Sequence, residues 1–175
     1  RLTRLPRADW GKALSHAGLG ITIFATSALT AWQQEDIRVA DIGDRFALGG
    51  YEIELRSVTE VQGPNFIATR AEMLAYRNGR LVADVFPEKR IYPVAGMPTT
   101  EAGIDNGFLR DLYLVIGDPQ DGGGWAVRTY VKPFANWVWC GAIVMAIGGL
   151  ISLSDRRMRV AAGAAKARMQ GVPAE

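Results

Sequence analysis

Histidine and cysteine occur once each in this 175-residue chain, as His16 and Cys140. Both lie in long apolar runs, so the domain between those runs cannot build a Cys-His nucleophile pair, a zinc site of the common Cys and His types, or a copper site of the His-Cys-Met kind. An internal disulfide is excluded as well. A dominant charge sign is also missing, since 20 Lys and Arg stand against 18 Asp and Glu. No basic stripe is interleaved with aromatic residues, so nucleic acid is not an expected partner. Internal repeats and a βαβ pattern are lacking too, which argues against a parallel sheet.

What the chain does have is two long runs without a charged residue. The first extends from Ala13 to Ala31, and the second from Pro133 to Ser154. As helices rising about 1.5 Å per residue, both are long enough to cross a hydrocarbon core of about 30 Å. The expected organisation is a basic flank at 1–12, a transmembrane helix at 13–32, an outer domain at 33–132, a second transmembrane helix at 133–154 and a tail at 155–175. Short flanks rich in Lys and Arg stay in the cytoplasm. Arg1, Arg4, Arg7 and Lys12 precede the first run, and Arg156, Arg157, Arg159, Lys166 and Arg168 follow the second, so both termini are predicted to be cytoplasmic. The first run is longer than the apolar core of a cleaved signal peptide. Trp10, Trp32, Trp137 and Trp139 lie at the run ends, where interfacial anchoring accounts for them. Cys140, inside the second run, is expected to be a small buried hydrophobe.

The outer segment carries fifteen acidic and eleven basic residues and reads as strands. Tyr51, Ile53 and Leu55 alternate with Glu52, Glu54 and Arg56 within a predicted strand from Phe46 to Val61. Gly63-Pro64-Asn65 breaks it. A strand from Phe66 to Arg77 meets Asn78-Gly79, a dipeptide suited to a type I′ turn, and Arg80 to Phe86 returns with Tyr76 opposite Leu81. Further strands are predicted at Leu112 to Ile116 and Trp125 to Val131, separated by a glycine-rich turn. That turn lacks the Lys and the following helix of a phosphate loop. Five or six short strands imply an antiparallel β-barrel or β-sandwich, so the fold class is a membrane α+β protein in which two transmembrane helices flank a periplasmic β-domain. Glu52, Glu54, Asp84, Glu101, Asp105 and Asp111 can be paired on paper as acid and base, yet each fits a solvated strand face equally well.

His16 stands out because an ionisable ring inside a span calls for a proton path, a hydrogen bond to a neighbouring helix, or a metal or haem. Gly20 lies one turn away on the same helical face. A residue without a side chain there lets a flat porphyrin approach the backbone, or equally lets a neighbouring helix pack closely. From the residues alone, ligand and packing remain alternatives.

Several motifs in order resemble one family. Leu5-Pro6-Arg7-Ala8-Asp9-Trp10-Gly11 with Ser15-His16-Ala17-Gly18-Leu19-Gly20 resembles the penultimate membrane helix of the CcmF/NrfE family of haem lyase subunits in bacterial cytochrome c maturation. Tyr92-Pro93, Met97-Pro98-Thr99-Thr100-Glu101-Ala102-Gly103-Ile104 and Arg110-Asp111-Leu112-Tyr113 resemble its outer-domain signature. Trp125-Ala126-Val127-Arg128, Lys132-Pro133-Phe134, Trp137-Val138-Trp139, Gly148-Gly149 and Asp155-Arg156-Arg157 resemble its closing strand and last helix. The resemblance implies the C-terminal end of a protein of the inner membrane, without the family's tryptophan-rich haem-handling segment. It implies haem b as cofactor, with His16 as one axial ligand to the iron and the opposite ligand outside this chain. The partners implied are the missing N-terminal membrane region, a haem carrier, apocytochrome c with its periplasmic chaperones, and the lipid bilayer. The implied reaction of the intact complex is covalent attachment of haem to apocytochrome c, with the bond-forming site elsewhere. The alternative is a membrane-anchored periplasmic docking domain without catalysis, in which His16 only packs.

Overall fold

The computed structural model describes residues 6–94 and 96–155. Two compact units emerge: one takes in the chain up to Thr26 and from Trp137 onward, and the other spans Ser27–Asn136. Helix α1 (Arg7–Trp32) and helix α2 (Ala135–Leu153) bracket ten strands. Both helices are long and apolar enough to cross a bilayer, and only 17% and 11% of their apolar windows are buried within the chain, unlike the core helix of a soluble domain. α1 begins six residues before the charge-free run, because Pro6 starts it. The Pro6 carbonyl accepts the amides of Asp9 and Trp10 at 3.1 and 3.3 Å, and Asp9 pairs with Lys12 along the first turns. A charge-free run marks an apolar span and need not mark the whole helix. Of the basic residues that predict orientation, Arg1, Arg4, Arg156, Arg157, Arg159, Lys166 and Arg168 lie outside the described residues.

The first unit is a helix pair joined through glycine. A Cβ added to Gly18 would lie 2.6 Å from the Gly141 carbonyl oxygen, and one added to Gly11 would lie 2.5 Å from that of Gly148. Gly11 and Gly18 are seven residues apart, as are Gly141 and Gly148, so two antiparallel helices meet at two levels separated by two turns. Ser15 Oγ donates to the Met145 carbonyl at 3.2 Å. Thr22 Oγ1 turns back on the Gly18 carbonyl at 3.1 Å. At one end, the buried Asp155 carboxylate accepts the Ala8 amide at 3.0 Å. It thereby caps the α1 N-terminus from the far end of α2, satisfying an amide that the helix itself leaves without a partner. Cys140, expected to be buried, is exposed. The contact face of α2 runs through Gly141 and Gly148, and Cys140 is turned about 100° from it.

In the second unit, strands β1 (Gln34–Ala40), β2 (Arg45–Leu48), β3 (Tyr51–Gln62), β4 (Ile67–Arg77), β5 (Arg80–Val85), β6 (Glu88–Tyr92), β7 (Met97–Glu101), β8 (Gly103–Asn106), β9 (Arg110–Pro119) and β10 (Trp125–Pro133) form two antiparallel sheets. The orders are β1-β10-β9-β8 and β2-β3-β4-β6-β7, with β5 on β4. Ten strands stand where five or six are predicted. The predicted strand at Phe46 to Val61 is split by Gly49 and Gly50, both at positive φ, which fold β2 back on β3. The Asn78-Gly79 turn is as expected, with φ of 52° and 73° and Tyr76 facing Leu81.

Inward-facing residues of both sheets share one core. Ile53 and Leu55 of β3, Met73 of β4, Leu112, Leu114 and Ile116 of β9 and Val127 of β10 are wholly or almost wholly buried, each contributing about 1.5–3 kcal/mol on the usual burial scale. Gly79→Val should lower the melting temperature of the strand signal, because a β-branched residue held at positive φ costs about 1–3 kcal/mol. Gly122→Val, in open space without positive φ, should leave it nearly unchanged.

One buried charge is built into the larger sheet. Glu88 is 5% exposed and accepts Arg70 at 2.5 Å and Arg90 at 2.7 Å. Burial pushes its carboxyl pKa up, but the hydrogen bonds from Arg90 and Arg70 and their charges outweigh that and hold it below the ordinary value. A depressed carboxylate stabilises the fold above its unfolded pKa, near 4.3 for glutamate, and the contribution is lost as pH falls through the folded value. Acid titration of the β-domain should therefore show stability falling below about pH 4. Glu88→Gln should cost about 2 kcal/mol at neutral pH, less than a fully desolvated pair because both arginines reach solvent, and should flatten that acid limb.

Candidate functional site: the outward face of the first helix

His16 and Gly20 lie on the face of α1 turned away from α2. Successive residues are rotated by about 100°, so His16 is about 200° from Gly18, which makes the helix contact. His16 is exposed, and its Nδ1 lies 2.7 Å from the Lys12 carbonyl oxygen one turn back. A carbonyl only accepts, so this geometry calls for the proton on Nδ1 and leaves the Nε2 lone pair directed outward. An added Cβ on Gly20 meets nothing within 4 Å. The surface beside His16 is therefore open over one helical turn, flanked by the exposed apolar side chains Leu19 and Ile23. Among the described residues His16 makes no hydrogen bond to α2, and a Cβ on Gly20 would not touch it.

This arrangement has the donor chemistry of a haem ligand. A neutral imidazole whose Nδ1 proton is held by a carbonyl presents Nε2 in a fixed direction, the usual second-shell device at metal-bound histidines. The side-chain-free Gly20 surface would admit a flat macrocycle.

Of the carboxylates that can be paired on paper, Asp84 is exposed on β5 and the other five have partners that are not carboxylates. Glu52 and Glu54 face Arg45 at 3.4 and 2.7 Å, Glu101 faces Arg90 at 3.4 Å, and Asp105 pairs with Arg110. Asp111 accepts Gly107 N and Asn136 Nδ2 at 3.1 and 3.0 Å. The glycine-rich segment before Trp125 is a hairpin turn, as its strand-like sequel implies, closed by Gly123 N on the Gln120 carbonyl at 3.0 Å.

The sequence reading did not single out a groove of about 530 Å³ bordered by Ile37, Tyr113, Arg128, Tyr130 and Lys132. Tyr113 and Tyr130 meet edge to face at 5.9 Å, and Lys132 Nζ sits 4.2 Å from the Tyr113 ring centre. Burial and the Glu35 carboxylate push the Tyr130 phenol pKa up, so it remains protonated. Alternation along β9 and β10 would have revealed this face, had Tyr113, Tyr130 and Lys132 been assigned to the side opposite Leu112, Leu114 and Val131.

Comparison with known proteins completes the picture. The chain is 65% identical over 167 residues to the cytochrome c-type biogenesis protein ccl1 of Rhodobacter capsulatus, covering 95% of this chain and 26% of that protein. It is 42% identical over 159 residues to the cytochrome c-type biogenesis protein CcmF of Pseudomonas aeruginosa, covering 89% and 24%. The chain thus spans about a quarter of the length of the curated relatives it matches. The solved cytochrome c haem lyase CcmF superposes with a TM-score of 0.67 at 20% identity, over 85% of this chain and 25% of that one, which supports the fold. Residues 31–133 match the family described as the CcmF C-terminal beta-sandwich, and with more than half of its length in that match, the chain belongs to the CcmF family as a C-terminal segment.

Proposed function

We propose that this segment is the membrane-anchored C-terminal part of a haem lyase subunit acting in covalent haem attachment to apocytochrome c, and that His16 supplies one axial ligand to a haem b in the membrane. The single observation that carries the ligand assignment is the outward Nε2 of His16, with Nδ1 held at 2.7 Å by the Lys12 carbonyl, beside the open Gly20 surface. The names of the relatives, cytochrome c-type biogenesis proteins, support the pathway. Bound there, the haem would supply an electron to keep substrate haem iron reduced. His16 would hold the iron, the Lys12 carbonyl would fix the ring, and Gly20 would leave the porphyrin face clear. The opposite ligand, the haem carrier, apocytochrome c and its chaperones would belong to, or meet, a region matching the part of the relatives that this chain does not span. Visible spectra of the intact protein with and without His16 test this reading.

The same proposal places α1 and α2 across the inner membrane with both ends in the cytoplasm and residues 33–132 in the periplasm. Support comes from the length and apolarity of both helices, the exposed Trp10, Trp32 and Trp139 near their ends, and the basic flanks. A reporter active only outside the cytoplasm should work when fused after Gly79 and stay silent after Arg159. Activity at the second position would overturn the two-span topology.

A further inference from the structure

The two helix stubs that belong to the β-unit leave it by the same end. Gln34, which opens β1, pairs with Val131 near the close of β10, and the Trp32 and Phe134 rings lie 6.3 Å apart. The β8–β9 tip is fastened at this end. Its Leu109 carbonyl accepts Phe134 N at 2.8 Å, and its Gly107 carbonyl accepts Asn136 Nδ2 at 3.0 Å. The tip carries two apolar side chains into solvent, Phe108 at 72% and Leu109 at 57% exposure.

The β4–β5 hairpin reaches the same end and adds charge. Arg77 faces Arg80 across the Asn78-Gly79 turn, and Leu81 beside them is 55% exposed. Tyr51 ties the two tips together, accepting Arg110 at 2.7 Å and Arg77 at 3.3 Å on its hydroxyl. The acids of this end are committed, Asp105 to Arg110, Glu52 to Arg45 and Asp111 to the Gly107 and Asn136 donors. No ion pair is made by Arg77 or Arg80 among the described residues. The opposite end is acidic, with Asp41, Glu60 and Asp121 exposed.

An exposed aromatic and aliphatic tip, flanked by arginines whose charge is uncompensated, on the end where two apolar helices begin, matches an interfacial lipid surface. Apolar side chains enter the boundary region there and cations meet phosphates. We infer that this end of the β-domain rests on the phospholipid headgroups of the outer leaflet, with Phe108, Leu109 and Leu81 in the interface and Arg77 and Arg80 on lipid phosphates. The inference rests on the two-span reading above. A domain seated in this way would be held at a fixed height over the membrane.

Nitroxide labels in the full-length protein, reconstituted into phospholipid nanodiscs, test it. Each label is the only cysteine, placed by Leu109→Cys, by Asp121→Cys, or on the native Cys140. Collision with oxygen, which concentrates in lipid, is compared with collision with a water-soluble nickel chelate. The Leu109 label should favour oxygen and the Asp121 label nickel. Replacing Arg77 and Arg80 by Glu should move the Leu109 label toward nickel, more in nanodiscs containing phosphatidylglycerol than in phosphatidylcholine alone. A Leu109 label that favours nickel, or is shielded from both reagents, while the Cys140 label does not favour nickel, overturns the lipid contact and leaves the spans standing. A Cys140 label that favours nickel overturns the spans and the lipid contact together. An oxygen-rich Leu109 label that ignores the charge reversal removes the arginines from the contact.

Discussion

On the proposed ligand assignment, His16→Ala in the intact membrane protein should strip a b-type haem while leaving the amount of protein in the membrane largely unchanged. The imidazole is exposed and bonds the Lys12 carbonyl of its own helix, so its removal leaves the glycine contacts and the Asp155 cap of the helix pair in place. The loss in haem affinity should exceed the about 10- to 100-fold that follows removal of a residue merely supporting a metal ligand. Cytochrome c maturation should fall with it. His16→Gly with added imidazole should restore part of the haem signal, since a diffusible ligand can occupy the vacated position. Gly20→Leu should act in the same direction by filling the porphyrin face without touching the ligand. The purified protein's visible spectrum decides the matter. A His16→Ala form that keeps the wild-type Soret band and reduced α-band at full haem stoichiometry would show that His16 is not an axial ligand and that it only packs against another helix.

The parts of the fold legible in the sequence were those whose pattern has one dominant cause. Charge-free runs at Ala13–Ala31 and Pro133–Ser154 have few readings other than apolar helices, and Asn78-Gly79 is specific for a tight hairpin. The alternation at Tyr51–Arg56 shows one buried and one wet face. The missed strands lack that alternation. In β1 the apolar Ile37 and Val39 face outward, 59% and 54% exposed, and the strand is held by its ladder to β10. Strand β7 is exposed at all five positions and carries Pro98, tolerable because an edge strand leaves one side of its backbone unpaired. Strand β6 opens on Glu88, whose burial depends on Arg70 from a strand distant in sequence, and no local pattern announces such a partner. At the candidate site, the residue type and the spacing of His16 and Gly20 were readable. The direction in which they face was not, because that is set by which other glycines α2 brings to α1.

Those glycines carry the second large effect. Gly141→Ala and Gly148→Ala should each destabilise the helix pair by about 1–3 kcal/mol, the range for overpacking a close contact. Gly149→Ala should stabilise it slightly. On helix propensity alone all three changes are favourable by about 1 kcal/mol, so the packing term must reverse the sign at two of them. At Gly141 the new methyl would press on Thr22 Oγ1 and lie 2.6 Å from the Gly18 carbonyl and 2.8 Å from Thr22 N. At Gly148 it would lie 2.5 Å from both Ser15 N and Ser15 Oγ. Most of these are backbone atoms that cannot rotate aside, so the helices must separate. At Gly149 the methyl meets nothing within 4 Å. Because His16 is carried by the helix that would be displaced, Gly141→Ala should also lower haem retention on heating, although His16 itself is untouched. Thermal unfolding of the full-length protein in detergent, read by both helical signal and Soret absorbance, measures the two effects together. Equal melting temperatures for the Gly141→Ala and Gly149→Ala proteins would show that the glycine contact does not hold α1 against α2.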